Sequence, residues 1–242
     1  MLGEFPDQAE DTLISLSDIE AAAKRLAETQ TSLPVENITE DSAENTAEDA
    51  AAPNTESPRS TEEIEFEEVV LAVDVARFGS DRSVILRRQG NRVMEIRTFR
   101  DMDTMQLAGW VAAAIRETNP QRVCIYEIGV GAGVVDRLKE QGHPVRGINV
   151  ARRAQQDRIF TNVRAEGYWR LKELFASGQI AIPNDHQLMG ELAASRYSFD
   201  SQGRVMMESK EAMRQRGLPS PDKADALMLA FVESANKTRL WI

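Results

Sequence analysis

Three acidic residues that are far apart in the sequence lie where one structural element gives way to the next. The first, Asp74, interrupts an apolar, β-branched run from Val69 to Val75, a pattern typical of a strand buried on both faces. A carboxylate buried there is costly unless a lysine, an arginine or a metal ion meets it. Taken alone, Asp74 is explained more simply as a strand-end residue that accepts hydrogen bonds from loop amides. Other acidic residues that lie close to it in the fold are needed to assign Asp74 a chemical role.

Two further carboxylates are candidates to lie close to Asp74. Glu127 directly follows a short apolar strand predicted for Arg122 to Tyr126, and Asp225 lies beside the apolar stripe of the predicted C-terminal helix. If the three converge, mutual repulsion prevents all of them from being ionised unless divalent cations hold them. Hard oxygen ligands suit Mg²⁺ or Mn²⁺, and two such ions roughly 4 Å apart promote hydrolysis of a phosphodiester. The residues therefore indicate metal-dependent nuclease chemistry, provided that the fold brings them together.

The formal net charge of −10 hides a strong asymmetry along the chain. Residues 1–66 carry 17 acidic and 3 basic side chains, whereas the remaining 176 residues carry 22 acidic and 26 basic ones. The larger part is mildly basic, which permits a polyanionic partner without demonstrating one. A single cysteine, Cys124, excludes a disulfide framework. Because the sequence shows neither a signal peptide nor an apolar stretch of bilayer length, we expect a soluble, cytoplasmic protein.

Composition divides the chain into three parts. Residues 1–28 contain a short amphipathic helix, Leu16 to Leu26, which needs a surface to dock on. Residues 29–65 are polar and acidic with almost no large apolar side chain, so we predict a disordered acidic linker. Residues 66–242 alternate between strand and helix patterns and are predicted to form a single α/β domain.

Hydrophobic periodicity in that domain predicts five strands, a hairpin and five helices. The strands are Val69 to Val75, Ser83 to Gln89, Arg92 to Arg100, Arg122 to Tyr126 and Pro144 to Val150, and the hairpin joins Arg196 to Phe199 with Arg204 to Glu208. The helices are Met105 to Glu117, Val134 to Gln141, Thr161 to Ser177, Leu188 to Ala194, and Asp222 to about Asn236, the last with Ser220 as N-cap and Pro221 at its first position.

Three alternate glycines follow the fourth strand: Gly129, Gly131 and Gly133. A dinucleotide-binding turn would need its next glycine where Val134 stands, so that fingerprint fails. We interpret the glycines as a place where the backbone must come close to another group.

The order of these elements, together with five sequence stretches, resembles the ribonuclease H-like nuclease domain of large terminase subunits from tailed bacteriophages. The stretches are LAVDVARFGSDRSVI, IYEIGVGAGVVDRL, NVRAEGYWRLKELF, RYSFDSQGRVMMESKEAM and LPSPDKADALMLA, and they cover nearly all of residues 66–235. The resemblance implies a ribonuclease H-like mixed sheet flanked by helices. It also implies an endonuclease that cleaves concatemeric double-stranded DNA during genome packaging, with residues 1–28 resembling the segment that follows the terminase ATPase.

By this resemblance, Asp74, Glu127 and Asp225 hold two Mg²⁺ or Mn²⁺ ions, and Asp81 and Asp222 are candidate outer ligands. Lys210, after the hairpin, would lie near the site or the DNA. Basic side chains that bracket the carboxylates are candidate contacts to DNA phosphates. They are Arg77, Arg82, Arg152, Arg153, Arg158, Arg164, Lys210, Arg214 and Arg216.

The sequence departs from this family in that it contains no GxxxxGK[ST] phosphate loop, the motif that binds the phosphates of ATP. We therefore expect either that another polypeptide supplies the translocating ATPase or that the gene is a prophage remnant. The expected partners are double-stranded DNA, an ATPase domain or subunit, a small terminase subunit and a portal protein, in the cytoplasm of a bacterial host and with no membrane contact.

Two alternatives remain open. An actin-like ATPase also places an aspartate after its first strand and a glycine-rich turn after its fourth, although such proteins need two related domains around the nucleotide. The second alternative is a catalytically silent remnant that binds DNA or the portal without cutting.

Overall fold

The computed structural model describes residues 11–31, 67–76 and 81–232. Its helices are α1 (Leu16–Thr31), α2 (Thr104–Thr118), α3 (Gly131–Glu140), α4 (Val163–Ala176), α5 (His186–Ala194), α6 (Lys210–Gln215) and α7 (Asp222–Phe231). Its strands are β1 (Val69–Asp74), β2 (Ser83–Gln89), β3 (Arg92–Phe99), β4 (Arg122–Tyr126), β5 (Arg146–Ile148), β6 (Tyr197–Phe199) and β7 (Val205–Met207). In these ranges no helix combines the length and the apolar character needed to cross a membrane.

The central sheet is mixed and has the strand order β3-β2-β1-β4-β5. β1, β2 and β3 form an antiparallel meander, whereas β4 and β5 run parallel to β1. The parallel pairs are joined through helices, as a parallel connection requires. The predicted ribonuclease H-like mixed sheet flanked by helices is confirmed.

Alternate residues of the strands face two separate hydrophobic cores. On the α2 face, Leu71, Val73 and Ile125 pack against apolar side chains of α2 and α3. On the α7 face, Ala72 and Cys124 pack with apolar side chains of α1, α4, α5 and α7. The sheet therefore has α2 and α3 on one side and α1, α4, α5 and α7 on the other, and α7 lies directly on β1, β2 and β4.

The α7 face also receives the N-terminal helix. Leu13, Ile14 and Ile19 are buried in the same core as α4 and α7. The backbone N–H of Leu13 donates a hydrogen bond to the carbonyl of Ser195 (2.9 Å). This bond joins the segment before α1 to the residues between α5 and β6. Residues 11–31 thus find their docking surface on the domain itself. The predicted acidic linker, residues 29–65, lies outside the described residues except for the last turn of α1.

Two helices depart clearly from the prediction: α3 starts three residues earlier, and α6 was not predicted. α3 begins at Gly131 rather than at Val134, because its first turn packs against the end of β4: a Cβ on Gly131 would lie 1.7 Å from the Tyr126 carbonyl oxygen. The close backbone approach that the glycines indicated is therefore made to the chain's own strand. α6 has no counterpart in the prediction; Ser209 caps it by accepting a hydrogen bond from the Ala212 N–H (3.1 Å).

The start of α7 also differs from the prediction, which placed the N-cap at Ser220. Pro221 occupies the N-cap position, and no side-chain cap hydrogen bond forms there. The Glu191 carboxylate from α5 instead accepts a hydrogen bond from the Ala224 N–H in the first turn of α7 (2.9 Å). A cap supplied by another helix satisfies the same orphan donor as a local one. Because α7 is described only as far as Phe231, the predicted continuation to Asn236 lies largely outside the described residues.

Candidate active site

β1 ends by burying a carboxylate on the α7 face. Asp74 is the last residue of β1 and pairs with Val84, whose side chain belongs to the α7-face core. Only 3% of Asp74 is exposed. Burial raises the pKa of Asp74 well above its usual value; Lys210 opposes the rise, whereas the negative charges of Asp225 and Asp222 add to it. The positive charge near Asp74 is therefore too small to balance the negative charges around it.

The second carboxylate, Asp225, comes from the first turns of α7 and is fully buried. Its Oδ1 accepts a hydrogen bond from the Tyr168 hydroxyl (2.8 Å) and lies 3.4 Å from Arg164 Nη2. Its Oδ2 lies 2.9 Å from Lys210 Nζ. Although burial alone would raise its pKa, the charges of Arg164 and Lys210 hold the pKa of Asp225 below its usual value. Asp225 is thus an ionised carboxylate, and it lies beside Asp74, whose negative charge is incompletely balanced.

The third aspartate of this face, Asp222, lies one turn earlier in α7. Its Oδ2 accepts a hydrogen bond from the backbone N–H of Arg82 at the start of β2 (2.7 Å). Its Oδ1 is buried and has no partner with hydrogen-bond geometry, although the Ser220 hydroxyl is close enough to lower the pKa of the carboxyl. Burial nevertheless raises the pKa of Asp222. Asp222 therefore ties the β1–β2 connection to α7 with one oxygen, and its other oxygen is buried without a hydrogen bond.

Glu191 of α5 is a buried member of the site that the sequence patterns did not predict. It is 6% exposed, and its Oε1 accepts a hydrogen bond from Gln187 Nε2 (2.9 Å) while its Oε2 caps α7. Burial raises the pKa of Glu191 to about 7, although the hydrogen bond from Ala224 lowers it. The available signal was a glutamate beside the apolar residues Leu188 and Leu192, a place where a charge needs a partner.

Glu127, the predicted third metal ligand, does not lie among these groups. A Cβ on Gly147 would lie 2.7 Å from the Glu127 carboxyl carbon, so this side chain rests on β5. The charged residues that act most strongly on Asp74 are Lys210, Asp225, Asp222 and Glu191. The structure therefore brings Asp74, Asp222 and Asp225 together and leaves Glu127 apart.

Asp81, the other predicted outer ligand, is bound to a surface cation. Its Oδ2 lies 3.3 Å from Arg214 Nη2, and both side chains are partly exposed. Exposed pairs of this kind contribute little to stability. Asp81 is close enough to act on the pKa of Asp222, so it lies at the margin of the site.

The predicted DNA contacts include side chains in the interior of the site and side chains on the surface. Lys210 and Arg164 are largely buried and are engaged with Asp225, so they belong to the site's interior. Arg82 donates to Gln187 Oε1 (2.9 Å), and Arg153 forms an ion pair with Asp157. Three others are surface side chains or form surface pairs: Arg152, Arg158 and Arg216. Arg77 lies outside the described residues.

The donor set on the α7 face suits a hard divalent cation. Three aspartates gather there, Asp74 lacks positive charge, and one oxygen of Asp222 is buried without a hydrogen bond. In the described ranges, however, no three acidic, histidine or cysteine side chains are arranged closely enough to hold an ion together. The residues fit one cation between Asp74 and the α7 aspartates. They do not reproduce the predicted arrangement of two ions held by Asp74, Glu127 and Asp225, because Glu127 is absent from the group.

Comparisons with known proteins agree with this architecture. Residues 76–234 match the family model described as Terminase RNaseH-like domain. The nuclease domain of the large terminase subunit gp2 of bacterial virus Sf6 is 20% identical, with a TM-score of 0.66 over 93% of this chain and 100% of that chain. A mutant of that domain with manganese and beta-thujaplicinol is 19% identical, with a TM-score of 0.67 over 93% of this chain and 100% of that one.

A second group of similar structures comes from thermophilic phage G20c. Its large terminase nuclease with bound magnesium is 20% identical, with a TM-score of 0.54 over 68% of this chain and 80% of that chain. Among curated proteins, no sequence matches. At these identities the solved structures establish the fold.

Proposed function

This chain belongs to the terminase RNaseH-like domain family, and from that premise we propose that it is the metal-dependent endonuclease of a phage or prophage large terminase subunit. Its substrate in this proposal is concatemeric double-stranded DNA, which it cleaves during genome packaging. The observation that carries the proposal is that Asp74 from β1 and Asp225 from α7 are both buried on the α7 face, close enough for the charge of Asp225 to raise the pKa of Asp74.

The proposed cofactor is Mg²⁺ or Mn²⁺, because the site offers carboxylate oxygens and neither cysteine nor histidine. Asp74 and Asp225 would hold the ion, with Asp222 beside them and Asp81 at the margin. When bound, the ion supplies an activated water and neutralises the charge that develops on the phosphodiester. The earlier prediction of two ions depends on Glu127 as a third ligand, and a metal-binding experiment tests that dependence directly.

The chain's own residues would prepare the site for the phosphodiester. Arg164 and Tyr168 hold Asp225 Oδ1 in one orientation, and Lys210 approaches its Oδ2. Glu191 fixes the first turn of α7, which carries both aspartates. Because these groups are buried and hydrogen-bonded, the carboxylates are preorganised before substrate binds.

DNA would be held by exposed basic side chains at the rim of this face. Arg152 and Arg153 are exposed near the end of β5, and Arg214 lies on α6. Contacts of this kind position the DNA backbone without selecting a sequence. An ATPase domain or subunit, a small terminase subunit and a portal protein in the host cytoplasm complete the proposed assembly.

The decisive experiment is cleavage of supercoiled plasmid DNA with Mg²⁺ or Mn²⁺. Wild type is expected to cut without sequence preference, and EDTA is expected to stop it. Asp74→Ala and Asp225→Ala should each lower the rate by at least about 100-fold, because outer-shell changes at metal sites already cost about 10- to 100-fold. Asp136→Ala is the matched control: it removes an exposed carboxylate from α3 on the other side of the sheet and should cut normally.

If Asp74→Ala and Asp225→Ala cut as well as wild type, the proposed site is wrong. The same assay separates the nuclease from the silent alternative. The Lys210 ammonium favours that alternative, because it already pairs with Asp225, a proposed metal ligand, at 2.9 Å. Retarded mobility of DNA without cleavage at any Mg²⁺ or Mn²⁺ concentration would select a DNA-binding remnant.

A further inference from the structure

Strand register decides which β4 residue faces the aspartates. β1 and β4 are parallel, and Val73 pairs with Ile125. The next residues are Asp74 and Tyr126, and neighbouring residues of paired strands point to the same face. Tyr126 indeed packs against the α7-face core, as Cys124 two residues earlier does. The side chain that β4 presents beside Asp74 is therefore a tyrosine.

Glu127, one residue later, belongs to the opposite face. Ile125 pairs with Gly147 of β5, and Ile125 is part of the core on the α2 face. The Glu127 carboxyl group lies where a Cβ of Gly147 would project, so it shares the face of Ile125. The Glu127 N–H donates to the Ile148 carbonyl (3.1 Å), which continues the β4–β5 ladder and keeps this alternation through residue 127.

Tyr126 is a poor substitute for a carboxylate ligand. Burial, and then the negative charge of Asp225, raises the pKa of its phenol above the usual value, so the hydroxyl is neutral. Its ring lies 5.6 Å from Lys210 Nζ, a distance at which the aromatic face attracts the ammonium group. The side chain therefore adds no negative charge to the site and supports the cation that already lies beside Asp225.

A charge balance leads to the same conclusion. Three aspartates and two cations meet on this face: Asp74, Asp222, Asp225, Arg164 and Lys210. Fully ionised, they sum to about −1, so one divalent cation leaves about +1 and a second leaves about +3, a costly excess in a buried site. Glu191, with its pKa of about 7, adds at most one negative charge.

We propose that this domain binds a single divalent ion on the α7 face, held by Asp74 and Asp225, and that Tyr126 in the third ligand position excludes a second ion. Glu127 is then not a metal ligand. The inference rests on the proposed function for the location of the site and goes beyond it in fixing the number of ions and the residue that limits it.

The test counts bound Mn²⁺ on the 242-residue chain by electron paramagnetic resonance, without DNA. Each count is taken relative to an Asp74→Ala, Asp225→Ala double variant, which subtracts any Mn²⁺ held elsewhere on the chain, including by the acidic residues before position 67. Wild type and Glu127→Ala are each expected to bind one more ion than this reference. Tyr126→Asp is expected to bind two, because the new carboxylate lies beside Asp74 and lowers the charge excess.

Tyr126→Phe is the matched control, since it keeps the ring and adds no charge, and it should bind one ion. If Tyr126→Asp fails to fold by circular dichroism, the comparison of wild type with Glu127→Ala still decides. Two ions in wild type, with one lost in Glu127→Ala, would overturn the inference, as would no ion in wild type. Failure of the proposed nuclease would show separately, as one bound Mn²⁺ without plasmid cleavage.

Discussion

The α2 face and the α7 face of the sheet are built from the same strands but bury different chemistry. The core on the α2 face consists of aliphatic side chains from β1, β2, β4, α2 and α3. Six buried charged side chains lie on the α7 face, among the described residues: Asp74, Arg88, Glu191, Asp222, Lys223 and Asp225. A buried charge costs stability unless it is paired, whereas a buried aliphatic side chain contributes stability directly.

The difference shows how the fold separates stability from chemistry. Apolar packing of α2 and α3 stabilises the strands, and one of these strands, β1, ends in a carboxylate on the other side. On the α7 face the charged groups are mostly paired: Arg88 donates to the Ala230 carbonyl (2.7 Å), and Lys223 to Asp185 (2.6 Å). Asp74 is the group for which pairing is incomplete, which is why the metal proposal centres on it.

The largest expected effect compares two buried leucines, one on each face. Leu107→Ala in α2 and Leu227→Ala in α7 should each lower the free energy of unfolding by about 4 kcal/mol, because both side chains are almost fully buried. Urea unfolding measures this loss. Only Leu227→Ala should also weaken Mn²⁺ binding, since α7 carries Asp225. An equal loss of Mn²⁺ affinity in Leu107→Ala would show that the faces are not independent.

A smaller effect concerns the pH dependence that Glu191 gives to the α7 face. Burial raises its pKa from 4.5 to about 7 in the folded state. Between these values the folded state binds more protons than the unfolded state, so stability falls as pH rises and levels off above about pH 7. The loss attributable to Glu191 is about 3 kcal/mol by the usual conversion of pKa shifts.

Urea unfolding at pH 4.5 and pH 7.5 measures that loss. Glu191→Gln cannot ionise, so its stability should fall less than that of wild type by about this amount. Glu173→Gln, an exposed change on α4, is the control and should follow wild type. Parallel pH profiles for wild type and Glu191→Gln would contradict the assignment, and Asp74, whose pKa is also raised, would then carry the dependence.

The smallest expected effect tests how much the cations support Asp225. Arg164→Met keeps most of the buried volume but removes a charge 3.4 Å from Asp225. Breaking a buried pair usually costs about 3 to 5 kcal/mol, and we expect about 2 kcal/mol because Lys210 and Tyr168 remain. Equilibrium unfolding in urea measures it, with exposed Arg152→Met as control. No change would mean that packing alone supports this face.

Much of the architecture could be predicted from local patterns. The apolar runs of β1 and β4 and the alternation in β3 predicted three strands of the sheet, and the amphipathic pattern predicted α2. Asp74 and Asp225 were identified because a carboxylate in an apolar run is costly. These signals depend on neighbouring residues alone, so one sequence suffices for them.

The tertiary structure alone decided which side chains meet. The sequence marks both Tyr126 and Glu127 at the end of β4, and only the register with β1 and β5 shows that they lie on opposite faces. The cap of α7 comes from Glu191, 33 residues earlier, and the residues around Asp225 come from α4 and α6. Local sequence determines an element and its apolar side, but the register and packing that bring distant charges together depend on the whole chain.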